Sequence, residues 1–461
     1  MYYVCHCLEA LETLPESERP HVVAFVPENL VVKFRESCNS ASSDWIDVVS
    51  IAESYLATAT GLVELTKLVT SQKCDILFPA ISPPCVSFPG KIIAWITDYQ
   101  HKYYPEFFSE AERTFRNHLF AFMTAISTRV VCSSETVRQD MMRFYPAAKE
   151  RGCVLRFTTS PPPATLSGDV HATISRWGVD QPYAYLPYQF WKHKNHWTVF
   201  RAWKELSAKG RRFQLVCSGA TNDSRSPKYF SELSEYLKKT GLTENIRILG
   251  MIPREDQWQL YRGAKFILQP SLFEGWSTSV EEARCLGKPV LLSDIPVHRE
   301  QLDGIGCFFE PTDFKSLAKL VEEKWSVLPD GINLELEKIA TQDNLSRLQA
   351  FGRELLAIFH ETAQDAALPV APDVLPLHLY FQREATDRLR ILNEMEAHIA
   401  YLQGVVTEHE AALLNANQKS AFTTSETGHE SEIGMPGQCT ENKAAPSQSW
   451  LTSRLRRLFR H

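Results

Sequence analysis

No run of 18 consecutive apolar residues occurs in this 461-residue sequence, and its start has no basic segment leading into an apolar one. A spanning helix and a secretory leader are therefore not expected, and membrane contact is expected to be peripheral at most. Positive charge is not in excess: 49 Lys and Arg against 55 Asp and Glu leave a net charge of −6. Nucleic acid is thus not expected as a partner of the whole molecule. Eleven cysteines are scattered without a CxxC pair or a regular framework. Several, such as Cys132 and Cys217, lie in apolar runs as small buried hydrophobes would, which points to a reduced, cytoplasmic chain. Cys5 and Cys7 flank His6, but no second ligand pair follows at finger-like spacing, so no metal is expected.

What is present is ample core material, 44% apolar residues beside 23% charged. At about 100 to 200 residues per domain, the length suits two or three folded units. Residues 1–157 alternate short apolar runs ("HVVAFV", "CDILFPA", "KIIAWITD", "RVVCSS") with helical stretches, the pattern of βαβ units and a parallel sheet. Residues 158–180 open on "TTSPPPATLSGD" and read as a linker. A second series fills 181–330, where wholly apolar strands such as "KFILQ" and "PVLLS" suit a sheet covered on both faces. The fold class is α/β: two facing, Rossmann-like, doubly wound domains, with ligands expected at the carboxyl ends of the strands. Packing helices are expected over 331–366. Residues 367–415 hold an amphipathic helix whose three-four apolar spacing, clearest over 389–413, fits either a coiled-coil seam for self-association or an unpaired helix. Residues 416–461 read as disordered, ending in the basic amphipathic "SWLTSRLRRLFRH", a tail for an anionic membrane surface or for a docking partner.

The chemistry concentrates in "KFILQPSLFEGWSTSVEEARCLGKPV". A strand runs into a loop and then a helix with N-cap candidates Ser277, Thr278 and Ser279 and a stop at Gly287. The first turn of such a helix offers unpaired N–H groups and a positive dipole end, where a phosphate binds. Glu274 precedes the helix and Glu282 lies about one turn into it, so both can face one ligand. Carboxylates repel a diphosphate and are better used as acceptors for neutral hydroxyls. The plain alternative is a helix-capping carboxylate and a surface pair. Glu281, roughly 100° around the helix, is expected to be solvated.

That stretch, with "DIPVHRE" after it and "ILGMIPREDQWQLYRGA" before it, resembles the donor-site signature of the retaining glycosyltransferases of family 4, which have the GT-B fold; more loosely, the likeness runs from Lys91 to Trp325. The resemblance implies that Glu282 meets the nucleotide ribose, Glu274 the transferred sugar, and the N–H groups of Ser277 to Ser279 the diphosphate of a nucleotide-sugar donor. It implies that Lys194 in "FWKHKNH" neutralises the donor phosphates, although no arginine lies between Tyr183 and His196 where many relatives have one. "TDYQHKYYPEFFS" resembles one branch of the family and marks Asp98 and His101 for catalysis or acceptor contact, against a purely structural histidine. Relatives often have a histidine where this chain has Thr97.

The implied activity is hexosyl transfer, of mannose by the branch resemblance, with retention and without metal or cofactor, onto a glycan or lipid-linked acceptor in cell-surface polysaccharide synthesis. The implied location is cytoplasmic, peripheral at the inner membrane surface. A nucleotide-sugar epimerase and a catalytically impaired, scaffold-like relative are the alternatives. The last is suggested because "MYYVCHCLEALETLPESERP" reads as the helix that follows the relatives' first strand and glycine-rich loop.

Overall fold

The computed structural model describes residues 2–38, 43–52, 59–80, 88–179, 182–302 and 304–366, with Leu368 and Phe381. The chain divides at Phe381 into two compact units, and all of these residues fall in the first. The helix expected over 389–413 and the basic tail lie outside the described residues. No described helix is long and apolar enough to cross a membrane.

In the first half, helix α1 (Tyr2–Glu12) leads to β1 (Val22–Pro27), α2 (Val31–Ser37), β2 (Ile46–Ile51), α3 (Ala59–Ser71) and β3 (Ile76–Ala80). Then come β4 (Lys91–Ile96), α4 (Gln100–Tyr103), α5 (Glu110–Ile126), β5 (Arg129–Cys132), α6 (Glu135–Phe144) and β6 (Gly152–Val154). All pairs are parallel, but the described strands form two sheets, β1-β2 and β3-β4-β5-β6, rather than one. Helix α1 bridges them. Cys5 and Leu8 pack with Val26 and Ile46 of the small sheet, while Cys7, Ala10 and Leu11 pack with Ile93 and Val131 of the larger one. The cysteines of the Cys-His-Cys run thus point into two different cores, and His6 bonds Glu9 and Thr159, so the three do not converge on a metal.

The polyproline segment does not remain a free connection. It carries α7 (Pro163–Ser167) and α8 (Val170–Arg176), and Val170 and Ile174 join the core of the second half. There follow β7 (Tyr183–Leu186), α9 (His196–Ala208), β8 (Gln214–Cys217), α10 (Tyr229–Thr240), β9 (Ile246–Ile248), α11 (Arg254–Gly263) and β10 (Phe266–Gln269). The half closes with α12 (Thr278–Cys285), β11 (Val290–Ser293), α13 (Pro296–Leu302), β12 (Cys307–Phe309) and α14 (Phe314–Val327). The six strands form one parallel sheet in the order β12-β11-β10-β7-β8-β9. Strand alternation feeds both faces: Ala184, Leu186, Leu215, Cys217, Phe266 and Leu268 enter one core, and Tyr183, Tyr185, Val216 and Ile267 the other. This is why the strands are apolar throughout. The long α15 (Leu334–Gln364) returns to the first half and packs on α1, with Gly352 against the backbone of Ala10.

Candidate functional site

Strand β10 ends in the fully buried Gln269, and the chain turns through Glu274 to Ser277, the N-cap of α12. Ser277 Oγ does not cap the helix; it accepts from Gln269 Nε2 at 2.6 Å, and Gln269 also reaches Glu274 Oε1 at 3.4 Å. Ser277 N–H is not free for a phosphate, because it donates to Gln301 Oε1 at 3.3 Å. The N–H groups of Thr278 and Ser279, in the first turn, have no helical acceptor. The helix stops as expected, with Gly287 at φ 65°.

Lys194 ends a short turn after β7, and its Nζ donates to Glu274 Oε1 at 2.6 Å. Burial alone would raise the Glu274 carboxyl, but the Lys194 cation bonded to it holds it below the ordinary range. Asn195 fixes this geometry. At φ 55° it takes the left-handed conformation that asparagine tolerates, and its Nδ2 donates to Pro270 O at 3.0 Å and Pro311 O at 2.8 Å. Leu272 N donates to His193 O at 2.8 Å, which docks the turn on the loop that carries Glu274.

Glu282 is buried, with Oε1 accepting from Arg254 at 2.5 Å and Oε2 from the Tyr261 hydroxyl at 2.7 Å. Each oxygen keeps a second lone pair for a ligand hydroxyl. Tyr188 lies beside both carboxylates: burial pushes its phenol well up, and Glu274 and Glu282 add to that. The Lys194 ammonium sits 5.2 Å from the Tyr188 ring centre. Glu281 is not solvated. It is wholly buried, accepts from Gln301 Nε2 at 2.7 Å and pairs with Arg347 of α15, which covers that side of α12.

The first half meets this loop directly. A Cβ on Gly275 would overlap the carbonyl oxygen of Thr97 and lie 3.1 Å from the Cβ of Asp98. Tyr103 packs on Phe273 with ring centres 5.4 Å apart, and Trp276 Nε1 donates to Phe157 O at 3.0 Å. Asp98 is partly exposed beside Arg116, 3.7 Å away, and accepts from Gln100 N at 2.8 Å. His101 is buried between Phe108 and Phe120, with Nε2 on Asn117 Oδ1 at 3.0 Å. Burial, helped by Arg116, pushes it down to about 4, so the ring is neutral.

The structure therefore joins Lys194 to Glu274, and Gly275 to Thr97 and Asp98. No arginine lies within 183–196, but two arginines from elsewhere in the second half lie near these residues. Arg225 stacks 5.0 Å from Trp191 and 5.2 Å from Phe108, and Arg254 opens α11. Burial first, then Lys194 and the arginines Arg225 and Arg116, drive His193 down to about 3. In the sequence Arg225 lies only in the segment between β8 and α10, and Arg254 at the start of α11, places that many surface arginines share.

Residues 173–326 match the family described as glycosyl transferases group 1. Mannosylglucosylglycerate synthase of Thermotoga maritima is 31% identical over 125 residues, 24% of this chain and 28% of that protein. O-antigen chain mannosyltransferase B of Escherichia coli is 26% identical over 168 residues, 35% of this chain and 40% of that one. The chain thus spans less than half the length of the curated relatives it matches. Anabaena HepE, solved with UDP and glucose, superposes with a TM-score of 0.55 at 14% identity, over 77% of this chain and 95% of that one. A glycosyltransferase from Rickettsia africae gives 0.53 at 15% identity, over 75% and 99%.

Proposed function

We propose that the chain transfers a hexosyl group, of mannosyl type, from a nucleotide-diphosphate sugar with retention of configuration; the match of residues 173–326 to the group 1 glycosyltransferases and the GT-B fold support this. The acceptor is a glycan or lipid-linked saccharide of cell-surface polysaccharide synthesis. The O-antigen mannosyltransferases among the relatives support the sugar and the pathway class.

The observation that carries the reading is the Lys194–Glu274 pair, held at the strand tips against the loop of Thr97 and Asp98. In this reading Lys194 meets the charge that grows on the leaving diphosphate, with the first-turn N–H groups of Thr278 and Ser279 beside it. Glu274, kept ionised, accepts a hydroxyl of the transferred sugar, and Glu282 a ribose hydroxyl. Asp98 and His101 face the acceptor side. Fixed positioning and leaving-group stabilisation supply the rate, without a metal ion.

The test is calorimetric titration with a panel of nucleotide-diphosphate sugars. At least one should bind, and Lys194→Gln should weaken it by about tenfold or more, the scale of a lost charge-assisted hydrogen bond. Transfer should persist in excess EDTA. Failure of every nucleotide sugar to bind ends this reading.

A further inference from the structure

The first half carries a cavity of about 300 Å³ that none of the donor-side residues line. It lies between α4 and the start of α5, walled by His101, Lys102, Glu110, Arg113, Thr114 and Asn117. Lys102 and Arg113 both line it, both half-buried, and the Lys102 ammonium lies 5.5 Å from the Phe144 ring centre. Neither Lys102 nor Arg113 has a carboxylate partner among the described residues, and Arg113 Nε is buried with no hydrogen bond. The carboxylate on the wall, Glu110, is exposed. A buried guanidinium N–H without an acceptor is costly, and an anion in the cavity would remove that cost. The forked guanidinium of Arg113 beside the point charge of Lys102 suits a phosphate.

His101 adds a second requirement. Its Nε2 faces Asn117 Oδ1, which can only accept, so Nε2 holds the ring proton. Nδ1 is then a bare lone pair, buried and without a partner among the described residues. A hydroxyl is the group that satisfies it. The volume falls at the lower end for small-ligand sites. The neighbouring residues reach the donor loop: Tyr103 of α4 packs on Phe273, and Asp98 abuts Gly275.

We propose that this cavity is the acceptor's anion subsite, taking a phosphate group carried on a hydroxylated body such as a sugar phosphate. The word acceptor rests on the transferase reading above; the binding of the anion does not. A free sugar phosphate and a lipid-linked one share this chemistry.

The full chain would be titrated calorimetrically with glucose 1-phosphate, glucose, inorganic phosphate, UDP and a micelle-borne glucosyl phospholipid. Glucose 1-phosphate should bind about tenfold or more tightly than either glucose or inorganic phosphate. Arg113→Gln and Lys102→Gln should each weaken it by about tenfold while leaving UDP affinity unchanged. Stronger binding of the micellar ligand, lost in Arg113→Gln, supports the subsite with a lipid source, and stronger binding of the soluble one supports it with a free source. Equal affinity for glucose and glucose 1-phosphate, or unchanged affinity in both variants, overturns it. Lys102→Gln decides the matter if Arg113→Gln melts early. UDP binding without glucose 1-phosphate binding removes the subsite and leaves the transferase reading. Anion binding lost in Arg113→Gln, with no nucleotide binding, does the reverse.

Discussion

Glu281 shows what a single residue gains from its surroundings. Helical spacing alone leads one to expect a solvated side chain, yet it is wholly buried because α15 brings Arg347 over it. Removing one partner of a buried ion pair strands the other. Arg347→Met should therefore lower stability by about 3–5 kcal/mol, read as a lower urea midpoint with unchanged slope. The double variant Glu281→Met with Arg347→Met should recover most of the loss, because neither charge is then left behind. Glu274 and Glu282, by contrast, were identifiable from their loop and helix positions. Their partners were not, since Lys194 and Arg254 lie 80 and 28 residues away in sequence.

At the level of elements, close approaches decide the assembly. Gly275 lets the loop before α12 touch the loop of Thr97 and Asp98, and Gly352 lets α15 reach the backbone of Ala10. Gly352→Ala should separate α15 from α1 and lower the melting temperature, a cost on the scale of about 1–3 kcal/mol for overpacking. Gly275→Ala should instead lower kcat/KM more than it lowers the melting temperature, because the clash lies where two loops meet rather than in a core. Glu300 of α13 makes another bridge: it accepts from Glu135 N at 2.8 Å and Thr136 N at 3.2 Å at the start of α6, and pairs with Arg156 at 2.7 Å. A carboxylate there satisfies helix N-terminal donors and favours the dipole. Strands β7, β8, β10 and β11 were legible because they are apolar and sit between helical periods. The short β6 and β12 and the mixed-polarity β2 were not, since a few residues cannot establish a period.

Over the whole molecule, the buried histidines set a pH limit. Burial is the first cause that pushes His101 and His298 down to about 4, and His193 and His196 down to about 3. The unfolded chain protonates such rings near the ordinary value of about 6.5. Between those values the unfolded state binds more protons, so stability is full above about 6.5 and falls as the pH drops toward about 4. The urea midpoint should decline across that window, and a flat profile would show that these rings are hydrated in solution. The two sheets of the first half are a tertiary outcome as well, because the apolar faces of α1 are compatible with one sheet or two and only packing separates them.

The sequence by itself determined the α/β class, the apolar strands of the second half, the helix stop at Gly287 and the placing of Glu274 before, and Glu282 within, the helix α12. These follow from local periodicity, backbone preference and short-range spacing. Only the tertiary structure decided that Lys194 meets Glu274, that Arg254 and Tyr261 occupy Glu282, that the polyproline segment folds onto the second half, and that Lys102, Arg113 and His101 share a cavity. The reason is distance along the chain: a buried charge selects its partner by proximity in the folded core, and that proximity is set by sheet order and helix crossings rather than by neighbouring residues.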